Sequence, residues 1–326
     1  MKQIKNINND KLDEVPLISI VCLCYNTGER LIHTLEAIRN QSYSHWELFI
    51  VDDASGDHSL EIVESWVEKY TIQATIIKNV ENLGIGASLN KAIKLCTGKY
   101  FTLIGDDEWD ENYLAELVEV FSKASEKVAM VYAKARVFDK VNNRFADVDL
   151  DPIQVVNDTQ YPRKDQLFKK IEDIEGAYLM RQEYLFDVLF WTNPIVVFCV
   201  MIRLDVLREM NGFDDRYVME DFPTWIKVSL HHDVLFIDKF LGNYNKYTTN
   251  TSDTYLSKIN FQVQLIRRKY KNRIQYADTK LAYYDGEIKC ILRTRKNRNK
   301  IFFILSHPRL IHFFVLRLFS SFFIRK

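Results

Sequence analysis

The sequence predicts an α/β protein built around a mostly parallel central sheet flanked by helices. Apolar runs rich in β-branched residues alternate with segments whose apolar residues recur at helical spacing, the pattern of repeated β-α-β units. Two of those runs end directly in acidic pairs, Asp52 with Asp53 and Asp106 with Asp107. Ligands of open α/β sheets bind beyond the carboxyl ends of strands, so these acids stand where chemistry is expected.

The first strand is LISIVCLCY, residues 17–25, and the following ERLIHTLEAIRNQ, residues 29–41, is a helix with Leu31, Leu35 and Ile38 on one face. The unit repeats as strand 46–53 and helix 58–70, then as strand 71–79 and helix 86–96, and a fourth strand, 99–105, ends at the second acidic pair. ENYLAELVEVFSKA, residues 111–124, reads as helix, and VAMVYAKARVFD, residues 128–139, as a strand crossing to the far side of the sheet. Residues 142–162 suit a loop or small hairpin, and residues 164–191 a helical stretch with many exposed charges. Residues 193–213 read as a short strand and a helix closed by Gly212, followed by a helix at 222–232 and a strand at 234–238. From about Ser252 the chain reads as helical, turning basic at RTRKNRNK, residues 293–300. With no Gly-, Ser- or Pro-rich linker before that point, one continuous domain is expected.

Composition excludes whole classes of function. At 326 residues and 47% hydrophobic content the chain can fill a sizeable core, which excludes a disordered protein. Forty-four basic and 44 acidic residues cancel, so no global field favours nucleic acid and no nucleic-acid partner is expected. The five cysteines are odd in number, lack metal-ligand spacing and mostly sit in apolar runs, as reduced core residues of a cytoplasmic protein do. The polar segment 1–15 has no apolar stretch of the signal-peptide kind. The tail, residues 301–326, is apolar but broken by His307, Pro308, Arg309 and Arg317, short of the roughly 20 uninterrupted apolar residues of a span. Two readings stay open for it: a helix lying peripherally in the headgroups of an anionic cytoplasmic leaflet, or a helix packed on this protein or on a second copy.

Adjacent carboxylates repel and raise each other's pKa unless a cation or donors compensate, so the pairs suggest a bound hard divalent ion, magnesium or manganese, shared with substrate phosphates. Helix capping is the competing explanation: Asp107 or Asp110 for the helix near Glu111, Asp53 or Ser55 for the one near His58.

The ordered segments YN after the first strand, ELFIVDDAS, ENLGIGASLNKAI, GKYFTLIGDDEW and MEDFPTWIKV together resemble the family 2 glycosyltransferases, over most of residues 17–252. The resemblance implies the GT-A fold. It places a catalytic domain at 16–252, with a nucleotide-sugar-binding half at 16–110 and an acceptor half at 111–252, and a helical C-terminal extension at 253–326. It further implies that Cys24, Tyr25 and Asn26 form a platform for the nucleotide, that Asp53 with Asp52 beside it contacts the base or ribose, and that Asn82 and Gly84 let the chain approach closely. Asp106 would contact sugar or ribose and Asp107 the manganese or magnesium ion that bridges the diphosphate. The basic residue common in the family near Ser88 is missing, with Asn90 and Lys91 the nearest substitutes.

By the same resemblance Asp221 is the general base and Glu220 positions the attacking hydroxyl, in one in-line displacement that inverts the anomeric centre. The family's Y-R-x-H-x-x-N-T-S appears as YNKYTTNTS, with Asn245 for the arginine and Tyr247, a candidate diphosphate or metal contact, for the histidine. Trp191, Asn193 and Trp225 are candidate acceptor contacts, although tryptophans at helical spacing equally suit a core. The implied donor is a nucleotide-diphosphate sugar, a UDP-sugar first, and the acceptor a saccharide or lipid-linked saccharide in cell-surface polysaccharide synthesis. A sugar-1-phosphate nucleotidyltransferase would share nucleotide, metal and sheet, but it needs a glycine-rich basic loop where this chain offers only Gly28 and Arg30. A catalytically inactive nucleotide-binding protein is a third reading, opposed by the intact acids.

Overall fold

The computed structural model describes residues 15–159, 164–189, 192–248 and 255–273. Trp191, most of the polar N-terminal segment, Cys290 and the basic and apolar stretches beyond residue 273 lie outside the described residues.

The chain opens with β1 (Ile18–Cys24), α1 (Arg30–Arg39), β2 (Trp46–Asp52), α2 (Ser59–Tyr70), β3 (Ala74–Lys78), α3 (Ile85–Ile93) and β4 (Tyr100–Ile104). It continues through a two-residue β5 (Glu108–Trp109), α4 (Tyr113–Lys123), a long β6 (Val128–Asp139), β7 (Arg144–Phe145), α5 (Pro152–Asn157) and α6 (Lys164–Leu167). Then come β8 (Phe168–Lys170), β9 (Ala177–Met180), α7 (Gln182–Val188), β10 (Val200–Arg203), α8 (Leu204–Glu209), α9 (Asp221–Ser229), β11 (Asp233–Lys246) and α10 (Leu256–Tyr270).

One sheet carries both expected halves, in the order β3-β2-β1-β4-β10-β6-β11-β9-β8. The first four strands are parallel, β10 enters antiparallel between β4 and β6, and β6 and β11 are parallel again. Strand alternation splits the core into two layers. Ile18, Ile20 and Cys22 of β1 face α1, α2 and α4, while Val21 faces the opposite layer of α3, α7, α8 and α9. Cys22, Cys24, Cys96 and Cys199 are buried free thiols. Among the described residues no helix is long and apolar enough to cross a membrane.

The structure corrects the helical expectation for 164–191. The segment holds two short helices separated by the antiparallel pair β8 and β9. β9 docks against β11, Leu179 opposite Leu235, and buries Ala177 and Met180. The run of charged residues between these strands mimics a solvated helix face, and pairing with a distant strand overrides it. The strand expected at 234–238 runs instead to Lys246, bent by register shifts after Ile237 and Phe240, so that its second half reaches back to pair with β5. α10 packs against the core: Ile266 lies in it and the Gln262 side-chain oxygen accepts the Val218 amide at 2.9 Å. Gly212 closes α8 as expected, at φ +72°, its N–H donating to the Leu207 carbonyl.

The return of β11 depends on Gly242, where a Cβ would stand 2.6 Å from Cys199 Sγ and 2.8 Å from the Phe198 ring. Gly242→Ala is therefore expected to cost about 1–3 kcal/mol, read as a lower denaturant midpoint at unchanged slope. Gly56→Ala, whose Cβ would meet only Asn26 Oδ1 at 3.8 Å, should stay within about 0.5 kcal/mol of the parent.

Candidate active site

Strands β2, β1 and β4 are neighbours, so their carboxyl ends lie side by side, about 4.8 Å apart per strand. At the end of β1, Cys24 is buried with its thiol 3.6 Å from Asp52 Oδ1, and burial first of all keeps that thiol protonated. Tyr25 beyond it is half exposed. Asn26 takes a left-handed conformation, φ +50°, which asparagine tolerates better than most residues. Its N–H donates to Ser55 Oγ at 3.0 Å and its Oδ1 accepts the Gly56 N–H at 2.7 Å, tying the loop after β1 to the loop after β2.

The two acids after β2 have unlike surroundings. Asp53 accepts hydrogen bonds from Asn79 Nδ2, Ser88 Oγ and the N–H groups of Leu83 and Gly84, all between 2.7 and 2.9 Å. Burial pushes its pKa up, but these donors outweigh burial and hold it below the ordinary carboxylate value. Asp53 thus fastens the loop that carries Asn82 and Gly84. Asp52 has a sparser set, the Ser55 N–H at 3.3 Å and the Cys24 thiol, and is the member of the pair better able to take a ligand. Gly84 opens α3 at φ +84°, with open space where a Cβ would be. Neither Asn90 nor Lys91 replaces a basic phosphate contact: Asn90 bridges the Phe213 backbone with both ends of its amide, and Lys91 Nζ donates to Asn79 at 2.7 Å.

After β4, Asp107 is buried and its Oδ1 accepts the Asn245 N–H at 2.9 Å. The Asn245 amide donates to the Asp106 carbonyl at 2.9 Å and to Glu108 Oε1 at 3.1 Å, so the end of β11 grips all three acids. Burial, and then the charge of Asp106, push Asp107 well above the usual carboxylate range. Burial also raises Asp106, against the pull of Arg30, whose Nη1 lies 3.4 Å from its Oδ2. Tyr247 stacks beneath the Arg30 guanidinium at 4.6 Å, and burial followed by the Asp106 charge pushes its hydroxyl up to about 12, so it stays a donor.

Neither Asp53 nor Asp107 caps a helix, whereas Asp110, the other candidate ahead of α4, does accept a backbone N–H there, that of Asn112. Asp57 serves the first turn of α2, accepting the Ser59 N–H at 3.0 Å. Two hard oxygen donors with raised proton affinity suit a divalent ion. Among the described residues no third His, Cys, Asp or Glu completes a metal cluster with them, so an ion there would fill its coordination from ligand oxygens or water.

Glu220 and Asp221 lie at the start of α9, both buried, and the Glu220 side chain at the N-cap makes no capping hydrogen bond. Asp221 Oδ2 accepts Asn193 Nδ2 at 2.9 Å. Burial raises both acids, and the Asp221 charge raises Glu220 further, while the Phe222 N–H and the Asn193 amide draw Asp221 back. The buried Trp225 indole N–H makes no hydrogen bond of normal geometry, so its pull on Asp221 is that of a nearby dipole. α3 touches this corner: a Cβ at Gly86 would lie 3.2 Å from Glu220 Cβ. One expected acceptor contact is corrected: Trp225 is 1% exposed, packed edge-on to Phe213, with no face left for a sugar. Asn193 donates to Asp221 beside it. The sequence reading also gave no site role to Arg30 or Asn79. A cation opening the helix after the first strand was the available signal for Arg30; nothing local marks Asn79.

A family model described as "Glycosyl transferase family 2" matches residues 19–190. An uncharacterized glycosyltransferase of Haemophilus influenzae is 25% identical over 270 residues, 81% of this chain and 77% of that protein. The amylovoran biosynthesis glycosyltransferase AmsB of Erwinia amylovora is 24% identical over 241 residues, 71% of this chain and 70% of its own. Among solved structures, Staphylococcus aureus TarS 1-349 with UDP-GlcNAc superposes with a TM-score of 0.58 at 17% identity, covering 82% of this chain and 70% of that one. The mannosyltransferase PcManGT of Pyrobaculum calidifontis, with GDP-Man and Mn2+, gives 0.52 at 14% identity, covering 94% and 83%. At these identities the structures establish a shared fold of the GT-A type.

The two unlike acids give opposite stability signatures. Asp53, depressed on folding, contributes stability that is present above its unfolded pKa of about 3.9 and lost as pH falls through the folded value. Asp53→Asn should therefore cost about 1–3 kcal/mol at pH 7, with the deficit shrinking below pH 4. Asp107, raised on folding, loses stability as pH climbs from the unfolded value toward the folded one. Metal-free Asp107→Asn should melt above the parent at pH 8, with the gap closing toward pH 3; thermal melts across pH check both.

Proposed function

The chain belongs to glycosyl transferase family 2, and from that premise we propose that it moves a sugar from a nucleotide-diphosphate sugar to a hydroxyl of a saccharide or lipid-linked saccharide, inverting the anomeric centre. The observation that carries this reading is a pair of buried, proton-avid acids at the ligand-binding end of the sheet, Asp107 and Asp221, each oriented by an asparagine. A neighbour solved with UDP-GlcNAc supports a UDP-sugar as first donor, and one solved with GDP-Man and Mn2+ supports a nucleotide sugar and a divalent ion. A relative named for amylovoran biosynthesis supports a polysaccharide product. A cytoplasmic setting belongs to the same proposal, supported by the buried free thiols.

In this mechanism the Tyr25–Asn26 loop and Asp52 form the nucleotide end of the site, with Gly84 allowing close approach. Asp106 and Asp107 would hold the manganese or magnesium ion. Bound there, such an ion neutralises charge on the diphosphate as it leaves. At the other side, two adjacent buried acids favour a single proton on the pair, and the donors aimed at Asp221 leave the charge there rather than on Glu220. Asp221 then removes the acceptor hydroxyl proton as that oxygen's electron pair forms the new bond to the anomeric carbon. The bond from that carbon to the diphosphate oxygen breaks in the same step, and its electrons leave with the nucleoside diphosphate.

Thermal melts with a panel of nucleoside diphosphates and nucleotide sugars, with and without manganese, test the donor site: stabilisation by one nucleotide that needs the metal and vanishes in Asp107→Ala is expected. Asp221→Asn should keep that stabilisation yet lower kcat by about 10²- to 10⁴-fold. A variant turning over at the parental rate would remove Asp221 from the mechanism. The acid limb of the kcat/KM profile should fall above the ordinary carboxylate pKa of about 4, because burial raises the acid that must be ionised.

A further inference from the structure

A nucleoside diphosphate bound as proposed would enter a corner already lined by Asp52, Asp106, Asp107 and Glu108. The cations in reach are not equivalent. Lys140 is bound to Glu108 at 2.8 Å and Lys91 to Asn79 at 2.7 Å. Arg30 is held differently. Its Nε donates to the Thr27 carbonyl at 3.1 Å and its Nη2 to the Asn26 carbonyl at 3.2 Å, which fixes the guanidinium plane to the loop after β1. The Tyr247 ring supports one face at 4.6 Å. Only Nη1 turns to an acid, and its 3.4 Å separation from Asp106 Oδ2 is longer than the roughly 2.7–2.9 Å of a charge-assisted hydrogen bond. The side chain keeps 31% of its surface exposed, so the planar group is anchored through Nε and Nη2 and still within reach of solvent.

We infer that Arg30 is a diphosphate-binding residue that exchanges partners, neutralising Asp106 in the ligand-free protein and turning Nη1 to a phosphate oxygen when a cation takes over the carboxylates. This rests on the donor-site reading above. A guanidinium suits the task because its fixed fork matches phosphate oxygens while two of its nitrogens remain on the backbone. The exchange has a consequence that a structural role for Arg30 would not share. With no nucleotide present, Arg30 competes with a divalent ion for the charge of Asp106; with a diphosphate present, it adds to binding.

Removing the guanidinium must then move two affinities in opposite directions. In calorimetric titrations, Arg30→Ala should bind Mn2+ alone about 2- to 5-fold more tightly than the parent. In saturating Mn2+ it should bind UDP or GDP, whichever the parent binds, about 10- to 100-fold more weakly. Arg30→Lys, which keeps the charge but loses the fork, should leave Mn2+ affinity near parental and weaken the diphosphate, and it serves if the alanine variant does not fold. Loosening of both ligands in Arg30→Ala would make the residue a structural prop and overturn the inference, as would unchanged diphosphate affinity. A parent that binds Mn2+ but neither diphosphate would sink the donor reading and this inference with it, whereas the first two failures leave the donor reading standing.

Discussion

A carboxylate taken out of water must meet donors or a cation, because an uncompensated buried charge costs several kcal/mol. Most of the organisation of this protein's ligand-binding end answers that requirement. Asp53 is met by a whole loop, with Asn79, Leu83, Gly84 and Ser88 each donating to it. Asp107 receives the Asn245 backbone from 138 residues away, and Asp221 receives Asn193. The acids differ in what remains. Asp53 is satisfied and its proton affinity falls. Asp107 and Asp221 are under-compensated and their proton affinity rises, the kind of perturbation that marks candidate functional groups.

The sheet makes those meetings possible. β10 runs antiparallel between β4 and β6, which closes the space beside β4 and anchors the turn into α4: Thr102 Oγ1 and the Tyr113 hydroxyl both donate to the Val200 carbonyl. β11 pairs with β6 for most of its length, bends at the register shifts after Ile237 and Phe240 and ends beside β5, where Asn245 reaches the acids. A straight strand ending at Asp238 would leave Asp107 buried without its backbone donor. The return of β11 and the burial of Asp107 are thus one feature, with Gly242 as its steric condition.

Much of the architecture was legible because it is local. Strands β1 to β4 and the helices between them are marked by period and composition, and the acids at their ends by position alone. The errors share one physical origin. The charged run after α6 resembles a helix surface until β9 finds β11; VLFID looks complete as a strand until β6 offers it a longer partner; Trp225 looks like a sugar platform until Phe213 closes over it. Each depends on a neighbour distant in sequence, which no local period encodes.

By itself the sequence determined the α/β class and the family through its ordered motifs, and it marked the carboxylates that close the strands, since these follow from residue type and from spacing along one chain. The tertiary structure alone decided how those carboxylates differ. Asp52 and Asp53 are neighbours of the same type, as are Glu220 and Asp221, and only the donors that the fold aims at each one set a satisfied carboxylate apart from an under-compensated one. The same holds for Arg30, an unremarkable cation in the sequence that the fold sets between Asp106 and the ring of Tyr247. Electrostatics at a buried site is a sum over everything nearby, and nearness is what the chain does not spell out until it folds.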